Sequence, residues 1–179
     1  MSNLNGTYTL DATHSTVGFV VRHAMISKVR GFFRSFEGNI TVDAEEQSHS
    51  SVTATIQTDS IDTGNADRDA HVKGSDFFDV ENFPEMTFTA TSFEIKNENS
   101  GTITGDLTIK GTTKPVTLDV EVFGQAEDPM GATRLGFSAT TSINRKDYGV
   151  DFQMPMKAGG LMLSEEIAIE IEGSAVKNS

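Results

Sequence analysis

The chain has 179 residues with 14 Lys+Arg against 26 Asp+Glu, a formal net charge of −12. That balance argues against a general nucleic-acid or anionic-membrane binder, since both need positive charge at the contact, although a small basic cluster can sit inside an acidic whole. There is no cysteine, which removes disulfides, thiolate nucleophiles, zinc–cysteine sites and iron–sulfur clusters together.

The first residues, Met1-Ser2-Asn3-Leu4-Asn5-Gly6, carry no basic start and no apolar run, so no secretory signal is expected. No stretch approaches the roughly 20 apolar residues that cross a bilayer. The expectation is a soluble, cytoplasmic protein without stable membrane insertion, and the missing cysteine fits a reducing compartment.

Period-two alternation then recurs along the chain, the pattern of strands with one buried face. Val17, Phe19 and Val21 alternate with Gly18, Val20 and Arg22, and a further strand pair is predicted over Val29–Phe36 and Gly38–Val42. Val52, Ala54 and Ile56 follow, opposite Thr53, Thr55 and Gln57. Between Thr63 and Pro84 the alternation stops. Asn65 can cap a short helix with Asp67 and Asp69 in its opening turn and Gly74 at its end, and Ser75 or Asp76 can cap a second turn carrying Phe77 and Phe78. Alternation resumes with Met86, Phe88 and Ala90, then Ile103, Gly105, Leu107 and Ile109, then Val116, Leu118, Val120 and Val122. Leu135, Phe137, Ala139 and Ile143 form the next apolar face, and Ile167, Ile169 and Ile171 the last. The opposing faces are rich in Thr, 21 of them in all, a β-branched residue suited to a pleated surface. Turn-forming clusters such as Asn97–Gly101, Gly111–Pro115 and Asp128–Gly131 separate the runs and imply a meander of antiparallel pairs. About eight half-buried strands must stack as two sheets or close into a barrel. The continuous Thr-rich faces favour one outer wall, hence a barrel, with the helical insertion covering one mouth.

Few residues offer chemistry. Asp11, His14 and Ser15 lie together, but neighbours in a line make no triad unless the fold points them at one spot, and no Gly-x-Ser-x-Gly elbow occurs. The structural reading is that Asp11 or His14 ties down the start of the first long strand. His14, His23, His49 and His71 show no short ligand spacing; Asp67 and His71, at i and i+4, read as a carboxylate–imidazole pair on a capped helix rather than a metal site. No metal and no cofactor are expected. Inward Gly31, Gly105, Ala54, Ala90 and Ala139 beside Phe and Ile leave room for a guest or simply complement large neighbours; pattern alone holds the two readings level.

A series of short motifs runs through nearly the whole sequence. It includes Asp11-x-x-His14-Ser15, Phe19-x-Val21-x-His23, Val29-Arg30-Gly31-x-Phe33 and Ser60-Ile61-Asp62-Thr63-Gly64-Asn65-x-x-Arg68-Asp69-x-His71. Asp76-Phe77-Phe78-Asp79-Val80, Phe83-Pro84 and the run Gly105–Leu118 continue it, followed by Gly136-Phe137-Ser138-Ala139 and Ile143-Asn144-Arg145-x-Asp147-Tyr148-Gly149. In these the sequence resembles the YceI-like family of polyisoprenoid-binding, lipocalin-like proteins. The resemblance implies an all-β fold, an extended antiparallel lipocalin-like barrel of about eight strands with a short helical insertion near residues 64–82, and a single domain over residues 1–179. It further implies a non-enzymatic protein that binds, carries or stores an isoprenoid lipid or isoprenoid quinone in an apolar tunnel, and a homodimer, as several relatives form. Relatives often carry a Trp after the Arg-x-Asp-Phe-Gly run, where this chain has Tyr148-Gly149-Val150-Asp151-Phe152-Gln153-Met154; that leaves the guest's length and shape open.

On this reading Phe19, Val21, Phe33, Phe88, Leu107, Leu118 and Phe137 line the tail. His14, Arg68, His71 and Arg145 would offer donors to an anionic or carbonyl head group at the mouth. The competing reading for Arg68 and Arg145 is a structural salt bridge, with Asp69 and Asp147 as local partners. Met130, Met154, Met156 and Met162, in or beside loops, offer adaptable apolar surface for the guest or for a dimer contact. Two other functions compete: an enzyme acting on a similar lipid through His14, His71 or Arg145, and a stress-linked interaction module whose acidic surface meets a basic protein.

Overall fold

A computed structural model describes residues 2–153 and 163–179. Among them eleven strands form one antiparallel sheet: β1 (Gly6–Leu10), β2 (Thr16–His23), β3 (Ser27–Phe33), β4 (Phe36–Val42), β5 (Ser51–Gln57), β6 (Ile61–Asp62), β7 (Glu85–Ile95), β8 (Ser100–Ile109), β9 (Thr112–Glu127), β10 (Thr133–Asn144) and β11 (Glu166–Lys177). One helix, α1 (Ala66–Lys73), interrupts the series.

The order β1-β4-β5-β7-β8-β9-β10-β11 returns to its start through a β1–β11 pairing, so eight strands close a ring. β11 is shared: its last residues pair with β1, Tyr8 opposite Lys177, while Ala168–Glu172 pair with β2. From β2 the sheet continues through β3 to β6, an arm that extends the wall beyond the ring. The barrel of about eight strands is therefore found, with three strands added. Its connectivity departs from the expected meander. β3 and β4 follow each other in the chain yet are not partners, because β3 pairs with β2 and β6 while β4 pairs with β1 and β5.

Alternation assigns the faces as the sequence implies. The outside carries Thr opposite Thr, with Thr104 and Thr117 hydroxyls 2.9 Å apart and those of Thr108 and Thr113 2.7 Å apart. Two bulges reset the register. One, at Thr91 in β7, brings Phe93 round opposite Ile103; the other, at Phe123 in β9, leaves that ring exposed.

α1 begins where Asn65 accepts a hydrogen bond from the Arg68 amide (3.0 Å) and ends where Gly74 N–H reaches the His71 carbonyl (3.1 Å). The second turn is not helical. Instead the Gly74 carbonyl accepts from both the Phe77 and Asp79 amides, which folds Phe77 and Phe78 back under the helix. Phe77 joins Phe33, Ile56, Ile61, Met86, Ile109, Tyr148 and Val150 in the larger core cluster, at the end of the barrel where α1 lies. A smaller cluster of Leu4, Tyr8, Leu135 and Ala175 seals the β1–β11 seam.

Candidate functional site

The barrel encloses a cavity of about 590 Å³. Both Gly101 and Ile109 of β8 line it, so it extends about 26 Å along that strand at roughly 3.3 Å per residue. All seven residues expected along the tail, Phe19, Val21, Phe33, Phe88, Leu107, Leu118 and Phe137, lie in its wall. Ile40, Ile103, Val116, Val120, Ile143, Ile167, Ile169 and Ile171 complete an almost wholly apolar lining.

The inward glycines do not create this space as small residues usually would. A methyl group on Gly31 would lie 2.7 Å from Cε1 of Phe19; one on Gly105 would lie 2.5 Å from Cζ of Phe88. Gly173 stands in the same relation to Phe137, its partner in register. Each ring occupies the place a neighbouring side chain would fill, so three aromatics rest against the wall. The volume at the glycines is taken up, and the hollow lies beyond the rings.

Polar groups lie at both ends of the cavity: Asp43, Gln47, Ser50 and Glu94 line it away from α1, and the basic ones lie at the end covered by α1. Arg68, His71 and Arg145 all line the cavity there, together with Tyr148, Phe77 and Phe152. The His71 ring meets Phe77 and Phe152 edge-on, with centroids 5.2 Å away in each case. Its partner is Asp76, with Nε2 3.0 Å from the carboxylate, and not Asp67. The turn after α1 returns Asp76 to the imidazole, a closure that helical spacing cannot anticipate. Among the described residues no group of three or more His, Asp or Glu is placed to hold a metal ion.

The salt bridges considered for the two arginines do not form. Arg68 donates through Nε to the Thr63 hydroxyl (2.8 Å) and through Nη2 to the Thr63 carbonyl (2.6 Å), while Asp69 accepts from the Thr63 amide and hydroxyl. Arg145 is only 5 % exposed. Its guanidinium donates to backbone carbonyls: Ser164 at 2.9 Å, Val150 at 2.7 Å and Phe152 at 2.9 Å. Asp147 shares its short 3-10 turn, Arg145–Tyr148, without pairing with it. Burial pushes the Arg145 guanidinium below its usual value, with Glu165 and Asp151 opposing weakly.

Of three buried side-chain groups without a partner among the described residues, the Thr58 hydroxyl belongs to a residue outside the cavity lining and the other two belong to residues in it. Among the described residues Nη2 of Arg145 and the hydroxyl of Tyr148 are buried with no hydrogen-bond partner. Burial raises the Tyr148 phenol above its ordinary value, with the Asp147 charge adding to the effect, so the group stays a neutral donor. Tyr148 was not singled out among the donors by sequence, although Gly149 behind it, at φ 74°, marks a turn that could place the ring inward.

His14 does not join the set. It sits on the outer surface, where Nδ1 lies 2.9 Å from the Asp11 carboxylate and the side chain is 65 % exposed. Asp11 also accepts from Arg134 at 2.7 Å, and the Ser15 hydroxyl goes to the Ser174 carbonyl, so this cluster pins the β1–β2 corner to β10 and β11. Of the methionines, Met130 is 92 % exposed on the β9–β10 turn, while Met154, Met156 and Met162 lie outside the described residues.

The profile of the YceI-like domain matches residues 8–175. A UPF0312 protein of Staphylococcus epidermidis is 38% identical over 164 residues, covering 91% of this chain and 93% of the relative. The crystal structure of the Campylobacter jejuni YCEI protein superposes with a TM-score of 0.74 at 31% identity, over 88% of this chain and 90% of the other. A polyisoprenoid binding domain from Saccharophagus degradans, implicated in plant cell wall breakdown, shares the fold with a TM-score of 0.68 at 16% identity, over 96% and 98%.

Proposed function

The chain belongs to the YceI-like family, and on that premise we propose that its barrel binds an isoprenoid lipid, a polyprenyl chain or an isoprenoid quinone, for transport or storage. The observation that carries the reading is the 590 Å³ apolar cavity with, at its α1 end, two buried donors that have no partner among the described residues. The Saccharophagus degradans domain of the same fold is a polyisoprenoid binder by name, which supports the choice of guest. Each CH₂ taken from water contributes roughly 0.8 kcal/mol, so a few isoprene units supply the affinity without any charged partner for the tail.

The α1 end, where the lining offers cationic and phenolic donors, then takes the head group. Arg145 Nη2 and the Tyr148 hydroxyl are its innermost donors, and Arg68 and His71 stand nearer the surface. A buried donor without an acceptor costs about 1–3 kcal/mol, and a guest oxygen placed between Arg145 and Tyr148 would recover part of that. Among the described residues no helix is long and apolar enough to cross a membrane. We extend the proposal to a cytoplasmic carrier, for which the absence of cysteine is the supporting observation.

Gentle purification followed by solvent extraction and mass spectrometry is expected to recover a prenyl lipid. The emptied protein should take up geranylgeraniol or 2-decyl-1,4-benzoquinone at one per chain. Tyr148→Phe keeps the ring and removes the donor, so it should weaken the quinone by about three- to tenfold while leaving n-decylbenzene unaffected. A protein that is reproducibly empty and takes up none of these probes would overturn the reading.

A further inference from the structure

Charge is unevenly distributed along this acidic chain. The 25 residues from Ala12 to Phe36 contain no Asp or Glu, yet hold Arg22, Lys28, Arg30 and Arg34. They build the β2–β3 hairpin, and all four cations are exposed on it. Two are matched by neighbouring strands, Arg30 by Glu170 at 2.8 Å and Arg34 by Asp62 at 3.2 Å. Arg22 and Lys28 face each other across the ladder, and neither forms an ion pair among the described residues.

The tip of the same hairpin is apolar. Ile26 is 87 % exposed and Met25 52 %. The turn is tight, with the Ile26 amide 3.2 Å from the His23 carbonyl and both Ala24 and Met25 at positive φ (53° and 60°). Gly, Asn or Asp fits such a backbone with less strain and would leave a polar tip. Here the tip instead presents two large apolar side chains to solvent, above a pair of free cations. β3 meets β6 only at Phe32 and Phe33, so among the described residues the outer edge of Ser27–Gly31 has no strand beside it. The inner face of this arm, Val21, His23 and Val29, lines the cavity.

We propose that the β2–β3 hairpin docks on an anionic lipid bilayer, with Met25 and Ile26 entering the head-group region and Arg22 and Lys28 meeting lipid phosphates. An apolar tip backed by cations is what an interface of that chemistry binds. The net charge of −12 turns the rest of the molecule away from the same surface, so attraction at one hairpin and repulsion elsewhere fix one orientation. That orientation sets the cavity wall at Val21, His23 and Val29 beside the bilayer. The further step, that the guest is exchanged there, rests on the proposed lipid-carrier function.

The test is vesicle flotation of the whole protein with phosphatidylcholine alone and with about one third phosphatidylglycerol added. The protein should float only with the mixed vesicles, and raised salt should release it. Replacing Arg22 and Lys28 together by Gln should lower partitioning tenfold or more, at about fivefold per cation. Met25→Ser with Ile26→Ser should abolish it. All variants should still take up geranylgeraniol from solution. Failure to float with mixed vesicles, or flotation indifferent to both variants, overturns the docking. So does an apolar tip that proves to be covered by a second copy, seen as a dimer that the Ser variant dissociates. Docking that persists in a protein taking up neither geranylgeraniol nor 2-decyl-1,4-benzoquinone would leave this inference standing and remove the carrier reading instead.

Discussion

Asp11 accepts hydrogen bonds from the Thr13 amide and hydroxyl, the Arg134 guanidinium and the His14 ring. The Thr13 hydroxyl, then Arg134, then His14 hold its carboxyl well below the usual carboxylate range. A carboxyl whose folded value is depressed contributes stability that is complete above its unfolded value of about 3.9 and is lost as pH falls toward the folded one. Arg134 also serves Asp128 at 2.7 Å, and that carboxyl is lowered too, chiefly by the same guanidinium. Asp11→Asn should therefore lower the urea midpoint at neutral pH. It should also flatten the decline in stability that the parent shows from about pH 5 downward. Denaturant titrations of both proteins at a series of pH values check this; parallel curves would show that the corner holds without its charge. Arg145 solves the opposite problem. Its cation is buried against three carbonyls rather than a carboxylate, which locks the Ser164, Val150 and Phe152 backbone around one end of the cavity and leaves one nitrogen without a partner among the described residues.

At the level of strands, local alternation predicts which side chains face inward, and Phe19, Val21, Phe88, Leu107, Leu118 and Phe137, on predicted inward faces, line the cavity. The period of two is a property of the strand itself and needs no knowledge of its partner. Partners are another matter. β1 and β6 are short and carry little pattern, yet β1 closes the ring and β6 extends the wall. The partners of Arg145 were not legible because they are backbone carbonyls, which no side-chain pattern marks, and Ser164 lies 19 residues away in sequence while Asp147 is near only along the chain. Glycine faces read correctly as inward but not as aromatic seats, because that needs the register of Phe19 against Gly31 and Phe137 against Gly173. This register makes a testable claim about the hollow. Gly31→Ala must push the Phe19 ring off the wall, at about 1–3 kcal/mol of stability. The displaced ring enters the lumen, so a series of prenyl alcohols of rising length should bind with a shorter cut-off than in the parent protein. An unchanged length profile would mean that the wall yields and the lumen does not.

For the molecule as a whole, stability depends on a seam between its two ends. β1 and β11 pair over Tyr8–Leu10 and Ala175–Lys177, the Asp11 amide donates to Ser174, and the Asn178 amide donates to Thr7. Tyr8 and Ala175 are fully buried there, with the Tyr8 hydroxyl donating to the Leu4 carbonyl at 2.6 Å and accepting from Gln125. Burial of one large side chain stabilises by about 1.5–3 kcal/mol, and the seam buries several along with a run of ladder bonds. Its loss would therefore consume much of the 5–15 kcal/mol that a domain holds in reserve. An open ring would also expose the lumen through its side, so stability and retention of a guest would fall together. Deleting residues 174–179 should give a protein that unfolds at much lower urea and no longer retains a prenyl guest, whereas deleting 178–179 should remove little beyond the bonds of Asn178 to Thr7 and Thr9. The chain has no Trp and only two Tyr, Tyr8 at the seam and Tyr148 at the α1 end, each in a different core cluster. Near-ultraviolet signals from single Tyr→Phe variants can thus report the two ends separately. The seam signal should vanish in the longer deletion while secondary structure persists in the far ultraviolet; an intact Tyr8 signal in that deletion would show that the barrel closes by some other pairing.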